Sequence, residues 1–292
     1  MADSSGGTPP VLLTIAGFDP TTGAGVGADL KTFAAHNCYG VAVITALTIQ
    51  STGGVRGVKP VSADVLRAQL DELVGDVSII GVKIGMLGTR ANAQVVAELL
   101  EKGNFPHVVL DPVLRATSGK ELLEPGGVKV LRERLLPLAT VITPNLAEAG
   151  VLSGLEVKDC KGMREAAQKL CQLGARSVVV TGGGLEKPVD VFYDGATLSE
   201  FGSDRVRSPN THGTGCAFSS ALAANLAAGR NLSDAIVLAK AYVAKAIAKG
   251  YSLGKGQGLL NHSYRQQNDP LAHSHSLHTP AEGPVHATTS YF

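Results

Sequence analysis

Along most of the chain, short apolar runs rich in β-branched residues alternate with longer segments of helical periodicity. VLLTI (11–15), VAVITAL (41–47), IIGVKI (79–84), HVVL (107–110), TVI (140–142) and SVVV (177–180) are the strand candidates. Most are continuous rather than alternating apolar runs, the pattern of parallel strands covered on both faces. In 62–75, Ser62 stands as an N-cap and Leu66, Leu70, Leu73 and Val74 form one stripe. A second helical segment, 164–173, is closed by Gly174 in the C-cap glycine position. Residues 191–208 (VFYDG–ATLSEF–DRVRSP) predict a β-rich piece that turns at Asp194-Gly195. A Gly/Thr loop and two Ala-rich helices follow, over 216–228 and 233–248. Strand–helix alternation on this scale predicts an α/β fold, a three-layer α/β/α sandwich with a mostly parallel central sheet. In such sheets ligands sit at the carboxyl ends of the strands, so the loops there are where chemistry is sought. No internal repeat interrupts the pattern.

The pattern fades at both ends. Residues 1–10 are small and polar and read as a flexible N-terminus. Residues 266–292 hold His273, His275, His278 and His286 without apolar periodicity and read as a loose surface tail; no spacing there defines a metal site. Between the ends, residues 11–260 are long enough for one large domain.

Composition narrows the class. Apolar residues make up 44% of the chain and charged residues 17%, enough for a core. The net charge of +1 argues against a nucleic-acid or anionic-membrane partner, since both require a basic excess. The N-terminus has no basic and apolar leader, and the longest weakly polar stretch, 213–228, is short of the ~20 residues that span a bilayer. Cys38, Cys160, Cys171 and Cys216 form no CxxC pair, consistent with free thiols in a reducing compartment. A cytoplasmic protein is expected. Glycine is in surplus, 35 of 292 residues against a usual ~7%, and it clusters at strand ends.

Five of those strand ends carry candidate chemistry. In AGFDPTTGAGVGADLKT (16–32), Gly17, Gly23, Gly25 and Gly27 permit close approach to a ligand and Asp19 offers a carboxylate; a tight turn capped by Asp19 explains the same residues. In the loop before the first Ala-rich helix, Gly213, Thr214 and Gly215 precede unpaired helix N–H groups and a positive dipole end, a place for an anion. Cys216 stands in the first turn, where the dipole should lower its thiol pKa; a buried, inert cysteine is the alternative. Asp111 follows one strand, and Asn145 and Glu148 follow another. Asp111 and Glu148 could hold Mg²⁺ through water beside phosphates, while Asn145 and Glu148 also match a plain capping box. Thr181 opens TGGG (181–184), which either approaches a ligand or simply turns.

Taken together, TIAGFDPTTGAG, VITALTIQST (43–52), VKIGML (82–87), LDPV (110–113), VITPNLAEA (141–149), VVVTGGG (178–184) and NTHGTGC (210–216) occur in an order that resembles the ribokinase-like superfamily. The nearest resemblance within it is to the hydroxymethylpyrimidine/phosphomethylpyrimidine kinases of thiamine biosynthesis. The resemblance implies a ribokinase-like domain over 11–260 and ATP-dependent phosphorylation of 4-amino-5-hydroxymethyl-2-methylpyrimidine, then of its monophosphate. It makes Cys216 the base and Gly213, Thr214 and Gly215 the anion hole. Asp111, Asn145 and Glu148 would order Mg²⁺ and the ATP phosphates, with Thr181 and Gly183 near the nucleotide. Gly17, Asp19, Ala24, Gln50, Met86 and Val113 would line the pyrimidine pocket, and the Gln50 amide, both donor and acceptor, suits an aminopyrimidine. A homodimer is also implied. Phe18, Gly27, Thr181 and Gly184 depart from the family's usual residues. A pyridoxal or pyridoxine kinase of the same scaffold, and a non-catalytic ligand-binding homologue, are the alternatives.

Overall fold

The computed structural model describes residues 7–116 and 118–266. The expected C-terminal tail therefore lies outside the described residues, apart from Gln266. The strands are β1 (Val11–Phe18), β2 (Tyr39–Ser51), β3 (Gly54–Pro60), β4 (Gly81–Ile84), β5 (His107–Leu110), β6 (Val141–Ile142), β7 (Val178–Val180), β8 (Val189–Tyr193) and β9 (Leu198–Gly202). They form one sheet in the order β3-β2-β1-β4-β5-β6-β7-β8-β9. The six strands from β2 to β7 in that order pair in parallel; β3, β8 and β9 are antiparallel additions at the edges.

Alternate residues of the central strands feed two cores. Leu13, Ile15, Val82, Ile84, Val108 and Leu110 pack with α2 (Ala63–Asp76), α3 (Arg90–Lys102), α6 (Leu146–Ser153) and α7 (Cys160–Gln172). The same core includes the run of α4 (Pro125–Val130), a π-helical turn (Leu131–Leu135) and α5 (Leu136–Leu138). Leu12, Val109, Val141 and Val179 point the other way, against α1 (Gly25–Ala35), α8 (Thr214–Ala227) and α9 (Leu232–Ala248). Both faces are dry, which is why these strands read as continuous apolar runs. Helix α8 is buried throughout from Ala217 to Leu226. Its alanines and serines let it lie close against the sheet, and its first turn is thereby fixed at the sheet's carboxyl edge.

The expected sandwich, its six inner strands and its helices are present, with three differences. β3 escapes the pattern because GVRGVKP is half polar; it is an exposed antiparallel edge, where apolar content is not required. Residues 203–208 extend no strand, so the 191–208 piece is a two-stranded hairpin, with Gly195 at φ +92° in its turn. The glycine-rich segment 16–32 is mostly regular: Gly17 lies in β1, and Gly25 and Gly27 lie in α1. Among the described residues no helix is long and apolar enough to cross a membrane.

Candidate active site

A cavity of about 540 Å³ opens at the carboxyl ends of the parallel strands. The candidate catalytic, substrate and nucleotide residues named above line it except Gly183, which is exposed on the turn after β7; of the first-loop glycines, Gly17 and Gly25 line it and Gly23 and Gly27 do not. Asp19 directly follows β1, Asp111 follows β5 and Thr181 follows β7, so the topology gathers residues far apart in sequence.

Two glycine segments meet backbone to backbone at its centre. Gly213 is the left-handed N-cap of α8 at φ +82°, and a Cβ there would fall on the carbonyl oxygen of Gly23. Gly25, at φ +58°, is similarly pressed against the carbonyl of Gly17. Gly213 carries no capping side chain; the Thr214 N–H donates to Thr211 O at 3.4 Å, and the first-turn amides after it are left for a ligand. Helix α1 starts beside them, with the Gly25 backbone facing the Cys216 sulfur. The departure at Gly27 also has a local cause: the Thr22 side chain occupies the space a Cβ would need.

Asp19 serves as the organiser of its own turn. Its Oδ1 accepts from Thr21 N (2.9 Å), and its Oδ2 accepts from Thr21 Oγ1 (2.8 Å), Ala24 N (3.1 Å) and His212 Nε2 (2.7 Å). Burial raises its proton affinity, but the bonds from His212 and Thr21 prevail and hold the carboxyl below its ordinary range. On β2, Ala46, Thr48 and Gln50 share one face, while Leu47 and Ile49 face outward. A β-bulge at Arg56 of β3 falls beside Gln50.

Asn145 and Glu148 do form the capping box. Asn145 Oδ1 accepts from Glu148 N (3.0 Å), and Glu148 Oε2 accepts from Asn145 N (2.9 Å). The box does not exhaust Glu148: the carboxyl lines the cavity, and burial followed by the charge of Asp111 pushes its pKa up to about 8. Burial raises Asp111 as well, opposed by Lys83 and by a 3.1 Å bond from Ser219 Oγ. Between them on the chain, the Thr143 hydroxyl is buried in the cavity wall without a hydrogen-bond partner. Two buried, mutually repelling carboxylates beside an orphaned hydroxyl fit a hard cation bound by oxygens. No group of three ligand-type side chains occurs among the described residues, so phosphates or water would complete the shell.

Sequence reasoning passed over the cation beneath these groups. Lys83, in the middle of β4, is fully buried and lies 3.0 Å from both oxygens of the equally buried Asp29 on α1. Asp29 also accepts from Thr14 Oγ1 (2.6 Å) and Ser220 Oγ (2.7 Å). Ser219 and Ser220, adjacent on α8, thus tie the helix to Asp111 and Asp29 respectively. A lysine inside an otherwise apolar strand was the available signal. Breaking a pair this buried leaves an uncompensated charge, at a typical cost of about 3–5 kcal/mol. Outside the cavity, Lys240 on α9 holds Asp190 Oδ2 at 2.6 Å while Asp190 Oδ1 accepts from Gly182 N, which fixes the turn after β7.

One expectation fails here. The helix end does not produce a thiolate at Cys216. Burial, with Asp29 and Asp111 adding to it, pushes the thiol up to about 12 despite Lys83 and the Gly25 amide.

A helix N-terminus without a capping side chain, a buried thiol in its first turn and a buried carboxylate pair, all at the open end of a ribokinase-like sheet, define a small-molecule phosphotransferase. The chain belongs to the phosphomethylpyrimidine kinase family, whose sequence profile matches residues 19–261. It is 44% identical over 264 residues to a hydroxymethylpyrimidine/phosphomethylpyrimidine kinase of Rhizobium meliloti, covering 89% of this chain and 99% of the relative. It is 45% identical over 253 residues to a thiamine biosynthesis bifunctional protein of Geobacter sulfurreducens, covering 86% of this chain but only about half (52%) of that protein. Among solved structures it is similar to an ADP complex of Bacillus subtilis pyridoxal kinase, with a TM-score of 0.82 and 40% identity over 89% of this chain and all of that one.

Proposed function

We propose that the protein transfers the γ-phosphoryl group of ATP to the hydroxymethyl group of 4-amino-5-hydroxymethyl-2-methylpyrimidine, and then phosphorylates the monophosphate to the diphosphate, in thiamine biosynthesis. The carrying observation is the convergence in one cavity of the α8 N-terminus, Cys216 and the Asp111–Glu148 pair. The kinase named for these substrates that matches along nearly its whole length supports the substrate class.

Phosphoryl transfer requires mainly positioning and charge neutralisation. The α8 N-terminus at Gly213, Thr214 and Gly215 receives the transferred group. Asp111 and Glu148, with Thr143, would hold Mg²⁺, which supplies charge neutralisation on the phosphates when bound. Thr181, bridged to Asn145, borders the nucleotide side, and its backbone N–H is anchored on Pro144. Gln50, Met86 and Val113 border the pyrimidine side. Cys216 accepts the proton of the substrate hydroxyl in the first step, and only once its thiol has ionised. In the second step the acceptor is already an anionic phosphate, so no base is needed there. We carry a homodimer as part of this reading, to be tested by sedimentation.

Cys216→Ala should reduce turnover of the alcohol by ~10²-fold or more, the scale of a lost general base, while nucleotide binding persists. First-step turnover equal to that of the unaltered protein would remove Cys216 from the base role. The second reading is a pyridoxal kinase, favoured by the likeness to the Bacillus subtilis enzyme.

A further inference from the structure

Asp19, Gln50 and His212 meet in the cavity wall so that one proton position fixes the next. This inference deepens the reading above and rests on it for the identity of the substrate. The Asp19 carboxylate is already caged by Thr21 N, Thr21 Oγ1 and Ala24 N, all of them donors. An ionised carboxylate only accepts, so His212 Nε2, 2.7 Å from Oδ2, must carry a hydrogen whether the ring is neutral or charged. The same Nε2 lies 3.2 Å from the Gln50 side-chain amide. With Gln50 Nε2 at that place two N–H groups would face each other. An amide turned by 180° puts Oε1 there instead, and its hydrogen-bond partners decide between the two. The backbone of His212 is anchored as well, since His212 N donates to Gly258 O at 3.2 Å.

We infer that His212 is a positioning residue: its single Nε2–H, donated to Asp19 Oδ2 and shared in a three-centre bond with the Gln50 amide oxygen, fixes that oxygen and leaves the NH₂ for the ligand. Oε1 keeps a second lone pair. The cavity then offers a donor beside an acceptor in fixed order. That order suits a planar ring nitrogen next to an exocyclic amino group and disfavours a ligand with the two reversed.

Two measurements on the full chain test this. In ¹⁵N-labelled protein without ligand, the His212 Nε2 resonance, assigned by its loss in His212→Phe, should be that of a protonated nitrogen at pH 8; a bare Nε2 overturns the inference. In kinetics with the aminopyrimidine alcohol, Gln50→Glu keeps an oxygen for His212 but loses the NH₂. Its KM should rise at least ~10-fold, by more than kcat falls, and His212→Phe should shift KM in the same sense. An unchanged KM in a folded His212→Phe variant overturns the positioning role. If His212→Phe does not fold, the Gln50→Glu kinetics and the wild-type histidine spectrum, assigned by through-bond correlation, still decide. If the unaltered protein fails to phosphorylate the pyrimidine, the functional reading fails, and the Nε2 resonance still decides the proton order.

Discussion

At the scale of single residues, burial decides more than position along a helix. Cys216 illustrates it: the first turn of α8 favours a thiolate, yet the desolvated sulfur beside Asp29 and Asp111 stays protonated. In the free protein Cys216 should therefore alkylate with iodoacetamide at neutral pH at least ~100-fold more slowly than an ordinary thiol, since the thiolate is the nucleophile. Peptide-resolved mass spectrometry reads this separately from the other cysteines, and labelling at the rate of a free thiol would contradict it. Glu148 yields a prediction with a definite sign. Its folded-state pKa of about 8 lies above the ordinary carboxyl value, so the folded protein holds a proton that the unfolded chain releases first. Without nucleotide or metal, stability from this group is complete in acid and falls as pH rises from the ordinary carboxyl range to about 8. Glu148→Gln retains an oxygen for the cap and removes the charge. Thermal melts should show it more stable than the unaltered protein at pH 8.5, by on the order of a few kcal/mol, and level with it at pH 4.5, while kinase turnover collapses. Equal pH dependence of the two proteins would refute the buried-carboxylate account.

At the scale of elements, what was readable in the chain depended on how apolar an element must be. The inner strands must be dry on both faces, so their runs stood out; β3 is partly exposed and did not. Loop glycines marked the site because backbone must meet backbone there: Gly213 sits on Gly23, and Gly25 on Gly17. Asp111 and Glu148 were legible as polar residues in loops after strands, whereas Gln50 was reached only through the family resemblance. Lys83 and Asp29 were passed over: a lysine inside an apolar strand was a signal, but its partner lies far away in the chain and their pairing is made only by the fold. The role of Asp19 was likewise open between ligand and turn until its four donors were in view. Gly213→Ala tests the contact directly. The strained φ and the collision with Gly23 should displace the α8 N-terminus, and kcat should fall by ~10²-fold, as for a misplacement of about 1 Å. Gly75→Ala is the matched control: it lies in α2 with open space around its Cβ position, and it should gain about 0.4–1 kcal/mol of stability with kcat retained. Undiminished turnover in Gly213→Ala would show that the close packing does not position the anion hole.

At the scale of the whole molecule, the sheet order explains why the site assembles at all. β1 and β4 are neighbours in the centre and their chain continuations diverge there, one to the Asp19 turn and α1, the other to Met86. β5, β6 and β7 then bring Asp111, Glu148 and Thr181 along the same edge, and α8 returns last to place its N-terminus over them. The balanced net charge is in keeping with the proposed site, which would meet anions at a helix end and a bound cation rather than at a basic surface. The most direct test of this account is ADP release by the purified full chain with ATP and Mg²⁺, run side by side with the hydroxymethylpyrimidine, its monophosphate and pyridoxal. The account predicts release with both pyrimidines and a higher kcat/KM for the alcohol than for pyridoxal. A clear preference for pyridoxal, or no release with either pyrimidine, would contradict it.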